Sequence, residues 1–156
     1  MKNHSSSDQD FELWILLNQV RDVLLKAREK ELRPYGITAT QAAALFTIEA
    51  IGNEATATEI SQWLLREHHS VSGLLSRMEK EGLISRSKGF PPKSLARVTL
   101  TEKGRQVYYQ SAKRVSIRNT MRVLSQEERQ QLNLLLKKLR DDGLKRLLEG
   151  LTPPFP

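Results

Sequence analysis

A chain of 156 residues has the length of one ordinary domain, or of a compact domain with one appended element. Hydrophobic residues make up 38% and charged residues 28%, which excludes disordered and collagen-like chains, and the absence of cysteine excludes disulfides, thiolate metal sites, cysteine nucleophiles and thiol redox sensors. The 25 Lys and Arg outweigh 18 Asp and Glu to leave +7, with the excess behind residue 65: residues 1–33 balance, residues 34–65 hold three Glu and no Lys or Arg, and residues 66–105 hold nine basic against four acidic groups. A basic middle behind a neutral front half suits a surface presented to a polyanion, although a solvated Lys/Arg face has the same composition.

Residues 1–9 are polar and without period, and residues 1–10 are expected to be a flexible tail. Leu13, Leu16, Leu17, Val20, Leu24, Ala27 and Leu32 then recur at spacings of three and four, which predicts a long amphipathic helix over 11–33, stopped by Pro34 and Gly36. The apolar run Trp14–Leu17 is far too short for a membrane span or a secretory core, so no membrane partner is expected and the cytoplasm is the expected location. Thr38 or Thr40 can cap the next helix, which carries Ala43, Ala44, Phe46, Ile48 and Ala50 and ends at Gly52. Thr58 can cap a short helix through Ile60, Trp63 and Leu64, and another runs from about His69 to Lys80, ending at Gly82. Two short helices joined by a tight turn form a helix-turn-helix candidate.

Residues 83–88 and 95–100 alternate apolar and polar around a Gly- and Pro-containing middle, which predicts a two-stranded hairpin with a long basic tip. Directly after a helix-turn-helix, such a hairpin is a wing, and 37–101 is read as a winged lobe. Thr101 starts a helix expected to continue through Val107, Tyr108, Ala112, Val115 and Met121. Ser125, with Glu127 and Glu128 in the first turn, opens a last helix bearing Leu132, Leu135, Leu136, Leu139, Leu144, Leu147 and Leu148, and 149–156 is a proline-rich flexible tail. The predicted class is mainly α: a winged helix-turn-helix with a two-stranded β wing, between a long N-terminal dimerisation helix and C-terminal dimerisation helices over 102–148. The leucine stripes exceed what a winged module can cover, so they are expected to bury a second copy through Leu13, Leu17, Leu132, Leu135, Leu136 and Leu139, giving a homodimer.

On the predicted second helix of the pair, Val71, Leu74, Leu75 and Met78 share an inward face, leaving His69, Ser70, Ser72, Gly73, Ser76 and Arg77 as the outward DNA-binding set. Short polar side chains let a helix sink into the major groove, and Arg is the usual bidentate reader of guanine. The wing adds Arg86, Lys88, Lys93 and Arg97. His68 and His69 can cap the helix, touch a phosphate, report pH, or ligate a metal; adjacent histidines point apart, and no metal or other cofactor is expected. No nucleophile elbow, His-Glu-x-x-His or phosphate-cradling Gly-rich loop is present, so no catalytic residue is assigned and no enzyme is expected.

Ser70-Val71-Ser72 with Leu74-Leu75, then Arg77-Met78-Glu79-Lys80-Glu81-Gly82-Leu83-Ile84, then Arg97-Val98-Thr99-Leu100-Thr101-Glu102-Lys103-Gly104, together resemble the MarR-type winged-helix regulators over roughly residues 11–148. The resemblance implies a dimeric regulator of transcription, a repressor, on a pseudo-palindromic double-stranded DNA site. It further implies a cleft between dimerising helices and winged lobe for a small aromatic effector, for which Trp14, Arg21, Tyr35, Phe46, Tyr108 and Tyr109 are the candidate lining residues. Family wings often carry an Asp-Arg-Arg-like tip, whereas Pro92-Lys93-Ser94 stands here, which makes Lys93 a phosphate anchor more than a base reader. An alternative reading is a winged helix that binds RNA or docks on protein without reading DNA bases.

Overall fold

The computed structural model describes residues 6–52, 54–87 and 96–148. In chain order they form α1 (Ser6–Leu32), a 3-10 turn (Arg33–Tyr35), α2 (Ala39–Ile51), α3 (Ala57–Leu64), α4 (His68–Lys80), β1 (Ile84–Arg86), β2 (Val98–Leu100), α5 (Glu102–Ser111), α6 (Val115–Met121) and α7 (Gln126–Leu148). None of the described helices is long and apolar enough to cross a membrane.

The core lies between α2, α3, α4 and the two strands. Leu45, Ile48, Ile60, Val71, Leu75, Met78, Ile84 and Val98 lose essentially all contact with solvent there, and Leu32 joins them from the end of α1. Burying a side chain of this size contributes about 1.5–3 kcal/mol, so these residues hold the helix-turn-helix against the wing. The strands pair antiparallel with Ile84 opposite Leu100, Ser85 opposite Thr99 and Arg86 opposite Val98. Ala55 adds a single bridge to Val98, so the β structure extends one residue pair beyond the expected hairpin.

Local boundaries follow capping chemistry. The Thr38 hydroxyl accepts from the Gln41 amide while the Gln41 side chain accepts from the Thr38 amide, which settles the choice between Thr38 and Thr40. Thr56 and Glu59 make the same reciprocal pair at α3, so Thr56 rather than Thr58 is the cap: Glu lies three residues beyond it. At the front, α1 begins at Ser6 instead of residue 11, so polar residues without hydrophobic period are drawn into the helix.

The largest departure lies between Ser111 and Val115. The single helix expected through Met121 is two, α5 and α6, separated at Arg114 in the left-handed conformation with φ 48°. No Gly or Pro marks this break. Its cause is in α1: Glu31 accepts from the backbone amides of Val115 at 2.7 Å and Ser116 at 3.3 Å, and from the Ser116 hydroxyl. A carboxylate from another helix thus caps α6 and supplies the negative charge that its N-terminus favours.

Candidate nucleic-acid interface and adjoining cleft

Helix α4 turns by about 100° per residue, so its three faces are distinguished by what each one touches. Val71, Leu74, Leu75 and Met78 face the core, as the sequence pattern predicts. On the wing side, Arg86 donates to the Glu79 carboxylate at 2.6 and 2.9 Å and to the Ser76 hydroxyl at 3.1 Å. That guanidinium holds the Glu79 carboxyl below the usual carboxylate range, against a smaller opposing effect of burial. On the opposite flank, Ser70 and Arg77 line a cavity of about 530 Å³ shared with Thr38 and Thr40 of α2 and with Arg66. Between the flanks runs an exposed stripe of His69, Gly73 and Lys80, with half-buried Ser76 at its edge.

This geometry brings His69, Gly73 and Ser76 together on the outward stripe and turns Ser70, Ser72 and Arg77 toward its margins. Arg77 therefore lies beside α2 rather than at the centre of the outward face expected of a base reader. Lys80 is on the stripe and was missed by the sequence pattern; its spacing of 4 from Ser76 and 11 from His69 was the available signal. His68 and His69 both lie in the first turn of α4 and stand exposed, behind Glu67, whose side chain makes no capping bond. No three potential metal ligands cluster among the described residues.

Two of the four wing residues act as internal struts. Arg86 ties strand β1 to α4, and Arg97 donates to the Glu54 carbonyl at 2.9 Å, fixing the wing to the segment before α3. Each guanidinium therefore has a partner within the lobe, Arg86 half-buried and Arg97 exposed. Lys88 and Lys93 lie outside the described residues.

A second cavity, of about 320 Å³, opens between α1, α2, α5 and α6. Phe46 and Tyr108 line it with Arg28, Arg114, Ser111 and Ile117, over a floor of small residues from α2. Of the expected lining residues, Phe46 and Tyr108 are in place. Trp14, Arg21 and Tyr35 do not line it: Trp14 is exposed and stacks on Phe11, Arg21 pairs with Asp22 at 3.1 Å, and Tyr35 packs on the core. Tyr109 is exposed beside Tyr108 and does not line it either.

Two arginines unforeseen as lining residues stand in their stead. Arg28, two turns beyond Arg21 on α1, donates to Glu31 at 2.9 Å and to the Ser111 carbonyl at 2.8 Å. Arg114 places its guanidinium 5.0 Å from the centre of the Phe46 ring, within cation–π range. Burial alone would raise the Glu31 carboxyl, but the Ser116 hydroxyl, Arg28 and the amides of Val115 and Ser116 together hold it down at about 2.

The predicted dimerisation residues are left uncovered within one chain. Leu13, Leu132, Leu135, Leu136 and Leu139 are exposed and Leu17 half-buried, while in α7 Leu144 is the buried leucine among the described side chains.

Comparison with known proteins places this architecture. The MarR family model matches residues 35–89. The organohalide-sensing RdhR-CbdbA1625 transcriptional regulator, solved with 2,4-dichlorophenol, is similar at 27% identity and a TM-score of 0.85, over 100% of this chain and 96% of that one. A MarR variant from E. coli, complexed with operator DNA, has a TM-score of 0.77 at 23% identity, over 87% of this chain and 99% of that one. MepR from S. aureus, also complexed with DNA, has a TM-score of 0.72 at 21% identity, over 91% and 99%. Among curated proteins no sequence matches.

Proposed function

We propose that this chain, which is similar to MarR-type winged-helix regulators, is a dimeric, cytoplasmic repressor of transcription that binds a pseudo-palindromic DNA site and is released by a small aromatic ligand. The observation that carries the reading is the exposed polar stripe of α4, backed by a fully buried apolar face and braced by Arg86. A rigid helix with short outward side chains fits the major groove, roughly 12 Å wide, and the net charge of +7 supplies attraction to phosphate.

The uncovered leucines of α1 and α7 support the dimer, since an unburied stripe of that size needs a partner surface and a two-fold pair is the commonest arrangement. Two copies related by a two-fold axis would present two α4 helices to successive major grooves. The cleft of Phe46, Tyr108, Arg28 and Arg114 supports the ligand, with aromatic faces for a ring and guanidinium charge for an acidic substituent. Nothing in the reading requires catalysis.

The test is selection of duplexes from fragmented genomic DNA by the purified protein, followed by gel-shift competition at moderate salt. A recovered, inverted-repeat sequence should outcompete random duplex of equal length. Equal competition by random duplex, or stronger competition by structured RNA, would refute base-specific DNA recognition.

A further inference from the structure

The two flanks of α4 are not equivalent. On the wing side the polar groups are consumed internally, because Ser76 and Glu79 are held by Arg86. On the α2 side they are left open. The Arg77 guanidinium makes no hydrogen bond or ion pair among the described residues, and Arg66 reaches Thr40 at 3.5 Å, the limit of a hydrogen bond. Both arginines line the same cavity of about 530 Å³, with the hydroxyls of Thr38, Thr40 and Ser70.

The two acidic residues of that cavity are already committed: Glu29 accepts from the Ala39 amide at 2.8 Å, and Glu81 accepts from the Gln41 side chain at 2.6 Å. What remains unbonded is the Arg77 guanidinium, the rest of the Arg66 fork and the hydrogens of the hydroxyls, on the margin of a helix whose centre faces outward. Paired guanidiniums with hydroxyls suit a tetrahedral oxyanion better than the flat edge of a base.

From this juxtaposition we propose that Arg66 and Arg77 form a clamp for one backbone phosphate of duplex DNA in each half-site, leaving base reading to the stripe of His69, Gly73 and Lys80. The proposal rests on the DNA-binding reading above. It reverses the role that sequence pattern gives Arg77: the clamp sets the depth and register of α4, and the stripe between clamp and wing meets base edges.

The experiment uses the full chain and a duplex selected from a random-sequence library by the wild-type protein. Binding is measured on that duplex and on a scrambled one across a salt series. Arg77→Ala and Arg66→Ala should each weaken both duplexes by the same factor and lower the slope of log affinity against log salt by up to about 0.9 per subunit. Arg77→Lys should restore the salt slope but only part of the affinity, because a point charge still neutralises a phosphate without the bidentate bonds of the guanidinium. Lys80→Ala should change the ratio between the two duplexes.

A methylphosphonate scan, which removes one backbone charge at a time, supplies a second measurement that does not depend on how a variant folds. One position per half-site should weaken the wild type while leaving Arg77→Ala unaffected. A loss of sequence preference in Arg77→Ala, unrestored by Lys, or a scan without such a position, overturns the clamp while the DNA-binding reading stands. Failure of the wild type to bind any duplex overturns both.

Discussion

Gly104 and Gly73 both sit inside helices, yet their surroundings give them opposite expectations. A methyl group at Gly104 would stand 1.9 Å from the Leu83 carbonyl oxygen and 3.0 Å from its carbon, so α5 packs against the entry to β1 through the missing side chain. Gly104→Ala must push the backbone apart, at a cost of about 1–3 kcal/mol or more. At Gly73, by contrast, a methyl group would meet nothing within 4 Å, and Ala there should stabilise α4 by about 0.5–1 kcal/mol. Thermal melts of the two variants should therefore move in opposite directions; a Gly104→Ala protein as stable as the parent would contradict the close approach. Glu31 gives the residue-scale pH dependence. Its carboxyl titrates at about 2 when folded against an ordinary value of 4.5, so its contribution is complete above 4.5 and is lost as pH falls from 4.5 toward 2. Glu31→Gln keeps the shape but loses the charge, and should cost about 1.5–3 kcal/mol at neutral pH, the range for a hydrogen bond to a charged group. The difference between parent and variant should shrink as pH falls through that window. A difference constant from neutral pH down to the folded value would show that the carboxylate charge is not what holds α6.

Among the elements, α7 carries the clearest expectation. Leu135 and Leu139 are 60% and 54% exposed in the single chain, which is tolerable only if another surface covers them. Replacing both with Glu should place charges in that seam, where an uncompensated buried charge costs several kcal/mol, and light scattering should then report half the parent mass. An unchanged mass and fold would place the interface elsewhere. Elements whose cause is local were legible in the sequence. The inward face of α4, the Gly82 exit, the Thr101 cap and the pairing of two strands into a hairpin all follow from periodicity and capping within a few residues. The break between α5 and α6 was not, because Ser111-Ala112-Lys113-Arg114 contains no breaker and Glu31 imposes the turn from 84 residues away. The cleft was half legible for the same reason. Phe46 and Tyr108 stand out as aromatics, but choosing Arg28 over Arg21 requires knowing where α5 ends, since the Ser111 carbonyl is what Arg28 grips. The wing arginines carried a further ambiguity: composition reports positive charge at 86 and 97, while the acceptors that engage it, Glu79 and the Glu54 carbonyl, emerge only from the fold.

At the scale of the whole molecule, the cleft joins the parts that a regulator must couple. Phe46 belongs to α2 of the winged lobe, Arg28 to the terminal helix α1, and Tyr108 and Ser111 to α5, which leads from wing to α6. The Arg28 charge is already opposed by Glu31, whereas Arg114 stands over an aromatic ring with no carboxylate bonded to it among the described residues. An aromatic acid entering the cleft would meet the Arg114 charge first, and its ring would compete for the Phe46 face. A ligand there touches both the lobe that would carry α4 to DNA and the helices that would set the spacing of two lobes, but contact is not coupling. It releases DNA only to the extent that it binds the free protein more tightly than the complex, and by linkage DNA must weaken the ligand by the same factor. Titrating a panel of aromatic acids and phenols against free protein should identify one that raises the melting temperature; at a hundredfold excess over its dissociation constant the stabilisation is about 2.7 kcal/mol. Arg114→Ala should reduce that stabilisation most for acids and least for neutral phenols. The same compound is then titrated in the presence of saturating selected duplex, and the duplex in the presence of saturating compound. Mutual weakening of compound and duplex, lost in Arg114→Ala together with the stabilisation, establishes the cleft as the effector site. A compound that stabilises the free protein but binds the DNA complex equally well would make the cleft a binding site without a regulatory role, and a panel that stabilises nothing would remove the aromatic effector from the reading.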